Sequence, residues 1–447
     1  MVDASNPLEG NGQLDFEPEY TGNLLILLEE SAPVAMAALQ EVAGITLATT
    51  ADSAEGVVST ADAQQVDGVL YDQLGVAVVR ADSGQVQALS QAVSIQDVPI
   101  AAVERERVVY AVGDQEAFTG GGESPSLEYL QGYRRGAMSV LDDLVGDEVS
   151  GEAAVLGWGA QVDESAFTWG LQAINLPQSR CSGSGVRVAV LDTGIAPDHP
   201  DFAGRPLATE TFVPDEPVDD RNGHGTHCAG TVSGPQHPQQ LPRYGVAYDA
   251  ELHVGKVLSN AGRGPDGGIL AGINWALTHG CRVISMSLGG RTAAGQPFSE
   301  VFEQAAQRVV QAGTVLIAAA GNDSRRGMGV LFPVSHPANC PSILAVAAVD
   351  QRLRVADFSN RGINPNGGQV DIAAPGRSVL SSAPPPTLYR RLDGTSMATP
   401  HVAGVAALTL EAQPGISASE LIARLLQTAR RLPEASTDVG AGLVQAP

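Results

Sequence analysis

Residues 186–194 read VRVAVLDTG, and this stretch decides the fold that the sequence predicts. The apolar run 186–191 is typical of a buried strand, and it ends on Asp192 just before a turn. Further apolar runs alternate with helical segments along the chain, at 269–277, 283–286, 302–310, 315–320 and 343–349. Such alternation indicates parallel βαβ units in an α/β, doubly wound, mostly parallel sheet. Sites in these sheets form at the carboxyl ends of strands, which is where Asp192 lies.

Length, composition and charge limit the possible functions. The chain has 447 residues and 43% of them are hydrophobic, enough for two or three units with sizeable cores. No apolar run is long enough to span a bilayer, so we expect no membrane span. A net charge of -24 argues against nucleic acid as a partner. No signal peptide is recognisable in 1–22, which slightly favours an intracellular over a secreted location.

Four segments organise the chain. They are a polar N-terminal segment (1–22), a small unit (23–112), a bridge with one helical stretch (113–165) and the large α/β unit (166–447). The small unit has the order β-α-β-β-α-β, which predicts a small ferredoxin-like α+β domain. Its strands are predicted at 24–28, from 45 onward, at 74–79 and at 100–112. This order alone does not identify a function.

Three further segments carry side chains suited to chemistry. His224 and His227 lie three residues apart, a spacing that also suits metal ligands, although no HExxH motif accompanies them. Asn322 follows the apolar run 315–320, where its amide can donate to a developing oxyanion or simply form a turn. Ser396 precedes a helix of small residues, as a nucleophile or as a plain N-cap.

The residues around these positions resemble one protein family. They read DTG at 192–194, HGTH at 224–227 and GTSMATP at 394–400. The order Asp, His, Ser is that of subtilisin and differs from the orders in other triad folds. The chain from about 169 to 446 is therefore similar to the subtilisin-like serine peptidases. The cysteine directly after the histidine motif, Cys228, makes this segment resemble the proteinase K branch most.

The resemblance implies a serine endopeptidase that forms an acyl-enzyme intermediate. It implies a triad of Asp192, His224 and Ser396, with Asn322 and the backbone N–H of Ser396 as oxyanion donors. Two alternatives are a subtilisin-like fold that only binds its partners and a metallohydrolase built on His224 and His227. Reaction with a serine-directed fluorophosphonate would distinguish the peptidase from both alternatives. The intact set of Asp192, His224, Asn322 and Ser396 favours the peptidase.

The resemblance also implies where a protein or peptide substrate binds. A substrate strand would lie between two walls and bond to them through its backbone, with the side chain before the cut in a pocket. The wall and pocket residues are Gly262, Arg263, Gly264, Ser287, Leu288, Gly289, Ala319 and Gly321. Leu331 stands where many relatives have a small residue, so the sequence predicts no side-chain specificity.

The chemistry requires no cofactor, but the resemblance implies structural calcium. Asp371 aligns with a carboxylate ligand of the family, and Pro341 and Ile343 align with its carbonyl donors. Asp201 matches a ligand of another family site. The partner loop of that site is replaced by the proline-rich residues 235–242.

The small unit resembles the inhibitory propeptide of the family. It would act as an intramolecular inhibitor whose last strand enters the substrate cleft. A cut between about 112 and 169 would release it, and the acidic, glycine-containing segment 151–167 is the expected place. The cysteines are expected to be reduced, although a bond between Cys181 and Cys281 is geometrically conceivable in the resembled fold.

Overall fold

The computed structural model describes residues 18–29, 31–93, 95, 98–112, 162–238 and 241–447. The polar N-terminal segment and the small unit are together called the first unit below. The described residues of this first unit form a single sheet flanked by helices. The strands are Tyr20–Leu28 (β1), Leu47–Thr49 (β2), Gly68–Tyr71 (β3), Val76–Val79 (β4) and Ile100–Ala111 (β5). The helices are Ala32–Ala43 (α1), Thr60–Ala63 (α2) and Ser83–Ala92 (α3), with a 3₁₀ turn at Thr50–Asp52.

The first sheet runs in the order β5-β1-β4-β3-β2. The neighbours from β5 to β3 pair antiparallel, which is the ferredoxin-like arrangement, and β2 is added at the edge, parallel to β3. The strand that the sequence predicts from 45 onward is present as β2, but the second strand of the ferredoxin-like order is β3, which the sequence analysis did not predict. A strand of four residues, with only Leu70 fully buried and polar residues around it, carries too little periodicity to be recognised.

Every residue from Leu24 to Leu28 is buried because both faces of β1 are covered. Leu24, Ile26 and Leu28 face the core that α1 and α3 help to form. Leu25 and Leu27 point to the opposite face and belong to the core of the large unit. The two units therefore share a continuous apolar interface.

The large unit contains a second set of strands and helices. Its strands are Arg187–Asp192 (β6), Ala208–Thr211 (β7), Glu251–Lys256 (β8), Arg263–Pro265 (β9), Val283–Met286 (β10), Leu288–Gly289 (β11), Val315–Ala319 (β12), Leu344–Val349 (β13), Ile372–Pro375 (β14), Val379–Ser382 (β15) and Tyr389–Leu392 (β16). Its helices are Trp169–Ala173 (α4), His224–Ser233 (α5), Asp266–Thr278 (α6), Glu300–Gln311 (α7), Thr395–Ala412 (α8), Ala418–Thr428 (α9) and Ser436–Val439 (α10). Two 3₁₀ turns lie at Leu176–Gln178 and Arg326–Met328.

A seven-stranded parallel sheet forms the centre of the large unit, in the order β14-β13-β12-β10-β6-β8-β7. Its strands are mostly buried on both faces, which is why they read as unbroken apolar runs. The chain first builds the sheet outward from β6 through β8, and later outward on the other side through β10. The carboxyl end of β6, which is Asp192, therefore lies at a switch point. This arrangement confirms the doubly wound α/β prediction.

The cysteines are free thiols, so no bond joins Cys181 to Cys281. Burial raises the pKa of the Cys281 thiol to about 12 and that of Cys340 well above its usual value. In the part of the chain that the structure describes, no helix has both the length and the apolar character needed to cross a bilayer.

Candidate active site

Asp192 and His224 meet at the switch point of the parallel sheet. Asp192 ends β6, and His224 is the first residue of α5. Nδ1 of His224 lies 2.8 Å from Oδ1 of Asp192, and both side chains are almost completely buried. The same carboxylate oxygen accepts the N–H of Thr193 at 2.7 Å. Because a carboxylate only accepts, Nδ1 carries the proton and Nε2 is left as the basic nitrogen.

The pKa of His224 reflects two opposing effects. Burial favours the neutral imidazole, but the adjacent Asp192 carboxylate outweighs it and holds the pKa well above the usual value. Nε2 of His224 and Oδ2 of Asp192 are buried, and neither has a hydrogen-bond partner among the described residues. The imidazole therefore keeps one nitrogen available for a group that enters the site.

His227 lies one turn along α5 but serves a different purpose. Its Nε2 lies 3.0 Å from the carbonyl oxygen of Val379 and 3.3 Å from that of Arg390. Burial lowers its pKa to about 3, so the ring is neutral and donates to these carbonyls. In the described chain, the single group of three side chains that could share a metal ion is Asp192, His224 and Cys228, which excludes His227.

Ser396 is the second residue of α8, whose first amide N–H groups have no acceptor within the helix. Its Oγ donates to the carbonyl oxygen of Ser287 at 3.0 Å. Pro400 lies four residues later and lacks the N–H that would bind the carbonyl oxygen of Ser396. That oxygen instead accepts from Oγ of Ser287 at 2.8 Å and from Sγ of Cys228 at 3.6 Å. Ser396 is thereby attached to the end of β10.

Asn322 is held in one orientation by the residue that precedes Ser396. Its Oδ1 accepts from both the N–H and Oγ1 of Thr395, each at 2.9 Å. Nδ2 is thus directed outward, and it donates to the carbonyl oxygen of Val112 at 3.0 Å. Gly394 lies against this contact, since a Cβ there would be only 2.9 Å from the Val112 oxygen. Sequence reasoning missed Thr395, whose only signal is its position beside Ser396.

The end of β5 occupies the groove between the two predicted walls. On one side it pairs antiparallel with β9, and Ala111 N–H donates to Gly262 O at 2.8 Å. On the other side it pairs antiparallel with β11, and Val112 N–H lies 3.3 Å from Ser287 O. The walls therefore receive this strand as sequence reasoning expected for a substrate, although the strand is the chain's own.

The pocket beside Asn322 combines residues that the sequence analysis selected with two that it did not, Asn360 and Ser335. Ala319 ends β12 and is fully buried. Gly321 has a φ of 107°, and a Cβ there would lie 2.3 Å from both Nδ2 of Asn360 and Oγ of Ser335. Asn360 also accepts the N–H groups that follow Asn322, at 2.9 and 3.0 Å. Leu331 is half-buried in the loop that leads to Ser335.

Asp371 is half-buried and has a raised pKa. It lies just before β14, and its Oδ2 accepts the N–H of Ala345 at 2.8 Å. Burial raises its pKa to about 6, and no arginine or lysine in the described residues pairs with it. Pro341 and Ile343 lie just before β13, the strand that pairs with β14. A half-buried carboxylate of this kind suits a cation.

Asp201 does not have the same character. Its Oδ2 accepts from the hydroxyl of Tyr389 at 3.0 Å and also from the hydroxyl of Tyr244. Two phenol protons therefore stabilise the carboxylate where a cation ligand was considered.

Comparison with known proteins agrees with this site. A family model described as the subtilase family matches residues 183–442, more than half of the chain. The thermostable alkaline protease of Halalkalibacterium halodurans is 41% identical over 282 residues, which cover 62% of this chain and 72% of that protein. Subtilisin DY of Bacillus licheniformis is 40% identical over 263 residues, covering 59% and 89%. Subtilisin Savinase of Lederbergia lenta is 41% identical over 283 residues, covering 62% and 96%.

These relatives are bacterial subtilisins and alkaline proteases, and the nearer similarity to the proteinase K branch stays a prediction. Their chemistry needs no organic cofactor, and peptides or proteins are the substrates. The chain belongs to the subtilase family, and it is a serine endopeptidase.

Proposed function

We propose that Asp192, His224, Ser396 and Asn322 carry the peptidase reaction in this chain. In this proposal the Ser396 hydroxyl turns from Ser287 O toward the unpaired Nε2 of His224, which takes its proton as Oγ attacks the peptide carbonyl. Asp192 holds the ring and stabilises the imidazolium. The Asn322 side chain and the Ser396 N–H stabilise the oxyanion. His224 then protonates the leaving amine, and water releases the acyl group.

One observation carries the proposal, namely the contact between Asn322 and Val112. The carbonyl oxygen of Val112 lies 3.0 Å from the proposed oxyanion donor, at the end of a strand paired with both walls. This is how a substrate residue before the scissile bond would bind. We therefore assign the first self-cleavage to the Val112–Gly113 bond. Residues 151–161 of the earlier candidate segment 151–167 lie outside the described residues.

The first unit is proposed to act as an intramolecular inhibitor, and two glutamates of β5 support this role. Glu104 accepts the N–H of Glu300 at 2.7 Å and the hydroxyl of Ser299 at 2.6 Å, at the start of α7. Glu106 accepts the N–H of Gly267 at 2.9 Å, at the start of α6. Negative side chains are favourable at these helix ends.

Further contacts, made at a distance from the cleft, also hold the first unit on the large unit. Arg308 of α7 donates to the carbonyl oxygens of Leu28 and Leu74. Leu25 and Leu27 are buried in the core of the large unit. These contacts do not depend on the Val112–Gly113 bond, so we expect the unit to stay bound after the cut. The end of β5 would then block the cleft as a bound product.

A structural calcium ion is proposed at Asp371, with the carbonyl oxygens of Pro341 and Ile343. Oxygen ligands suit calcium, and a cation would stabilise the ionised form of this half-buried carboxylate. Asp201 is not included, because its carboxylate is bound by two tyrosine hydroxyls.

The test of the catalytic assignment uses a serine-directed fluorophosphonate on the self-processed protein, diluted until the first unit has dissociated, followed by peptide mapping. We expect a single adduct on Ser396, loss of labelling in Ser396→Ala, and strongly reduced labelling in His224→Ala. Ser90→Ala, an exposed serine on α3, is the matched control and should label normally. An adduct on another serine would contradict the assignment.

A further inference from the structure

The strand that fills the cleft makes one more contact with the large unit, upstream of the two walls. The backbone N–H of Arg107 donates to Oδ2 of Asp266 at 3.1 Å. Arg107 lies five residues before Val112, so it is the sixth residue before the proposed scissile bond. Asp266 is the first residue of α6, directly after β9.

The geometry of an antiparallel pair explains why a side chain is used here. Alternate residues of a strand face the same neighbour, so 107, 109 and 111 present their backbone groups toward β9. Ala111 bonds to Gly262, and Val109 is paired with Gly264. Beyond Pro265 the chain turns into α6 and offers no further strand. The carboxylate of Asp266 therefore extends the row of acceptors by one position.

The Asp266 carboxylate is held in place by His336. Nε2 of His336 lies 3.0 Å from Oδ1 of Asp266, and each side chain is only 1% exposed. Since a carboxylate cannot donate, Nε2 carries the proton and donates it. The His336 backbone is bonded to Gly290, with its N–H donating at 2.9 Å and its carbonyl oxygen accepting at 2.7 Å. The pair therefore connects the two walls of the cleft.

A ring contact further restricts His336. Its imidazole meets the ring of Phe302 edge to face, with centroids 4.7 Å apart. Asp266 thus presents Oδ2 to the cleft while Oδ1 is occupied by His336. An acceptor fixed by buried neighbours loses little conformational entropy when a substrate binds.

We propose that Asp266, positioned by His336, binds the backbone N–H of the sixth substrate residue before the cut. The inference rests on the proposed function, because it takes the bound strand as a model of a substrate. The substrate class is then an extended polypeptide with at least six residues before the scissile bond. A secondary amide is required at the sixth, so proline or an N-methylated residue there binds poorly.

The experiment compares three acetylated peptides of the sequence of residues 107–118 on the self-processed full-length protein, diluted until the first unit has dissociated and the activity has appeared. The first is unmodified, the second is N-methylated at the residue corresponding to Arg107, and the third at the residue corresponding to Val108. The third is the control, since Val108 N–H donates at 2.9 Å to Glu19 O within the first unit and not to the large unit. Each peptide is also tested with Asp266→Ala and Asp266→Asn.

We expect the methyl group at the Arg107 position to lower kcat/KM by about tenfold or more in the wild type, as for the loss of a hydrogen bond to a charged group. The same ratio should fall to about one in Asp266→Ala and be partly restored in Asp266→Asn, which keeps an acceptor oxygen. The control peptide should give the same ratio in all three proteins. Equal effects of the Arg107-position methyl group in wild type and Asp266→Ala would overturn the inference while leaving the peptidase intact. Failure to cleave any of the peptides would overturn the proposed function and the inference together.

Discussion

The side-chain nitrogen of Asn322 lies 3.0 Å from the carbonyl oxygen of Val112, the last residue that the structure describes in the first unit. The contact joins the two units at the site of chemistry. It exists because Thr395 holds the other end of the Asn322 amide and because Gly394 leaves room for the carbonyl. The first unit and the catalytic residues therefore have to be understood together.

Replacing Asn322 removes a donor that acts mainly in the transition state. We expect Asn322→Ala to lower kcat by about 10²–10³ with little change in KM. Thr395→Val loses one of the two bonds to Oδ1 but keeps the backbone N–H, and it should lower kcat by about tenfold. Steady-state kinetics on one peptide measure both. If the two effects simply multiply in the double variant, Thr395 does not act through Asn322.

Asp192→Asn tests how the triad is held. The variant should lower kcat by about 10⁴, because the neutral amide no longer fixes the imidazole. The base must be unprotonated, so activity falls as the pH drops through the pKa of His224. Since the Asp192 carboxylate raises that pKa, its loss should move the acid limb of the kcat/KM profile to lower pH. An unmoved acid limb would show that another group controls it.

Glu106→Gln tests the docking of the first unit. The variant keeps the shape of the side chain but removes its charge at the start of α6. On dilution of the self-processed protein, the activity should appear at a concentration about fivefold to tenfold higher than in the wild type, because the complex is weaker. Glu41→Gln on the exposed face of α1 is the control and should behave as wild type. Equal dilution curves for Glu106→Gln and Glu41→Gln would show that the contact between Glu106 and the start of α6 does not contribute to inhibition.

The raised pKa of Asp371 predicts that the stability of the folded protein depends on pH and on calcium. Its pKa rises from 3.8 in the unfolded chain to about 6 in the folded protein. In the presence of a chelator, the stability that this carboxyl contributes is therefore full below about pH 4, and it is lost as the pH rises through about 6. The loss amounts to about 3 kcal/mol, which calcium should restore by binding the ionised form. Thermal unfolding in EDTA and in calcium, across this pH range, should show both effects in the wild type and neither in Asp371→Asn. A chelator effect of equal size in both proteins would place the ion elsewhere.

Much of the large unit could be predicted from the sequence because its signals are local. Unbroken apolar runs mark strands that are buried on both faces, and Asp192 and Asn322 follow two such runs. β3 was missed because it is short and lies among polar residues. Thr395, Asn360 and Asp266 were missed for another reason. Their roles depend on contacts between segments that are distant in sequence, and no local pattern records such contacts.

The contribution of β1 shows the same limit. Five consecutive apolar residues predicted a buried strand, and the structure contains that strand. Nothing in those residues told which partner covers the second face. That partner is the large unit, and the shared interface places the end of β5 in the cleft.

The most direct test of the central claim is the terminal sequence of the self-processed protein, determined by intact-mass and peptide mass spectrometry. Val112 is bound as the residue before the cut, so we predict one fragment ending at Val112 and another beginning at Gly113. Ser396→Ala should remain a single uncut chain. A wild-type protein whose first new terminus lies within 151–167, with the Val112–Gly113 bond intact, would contradict the claim that this carbonyl is held for attack by Ser396.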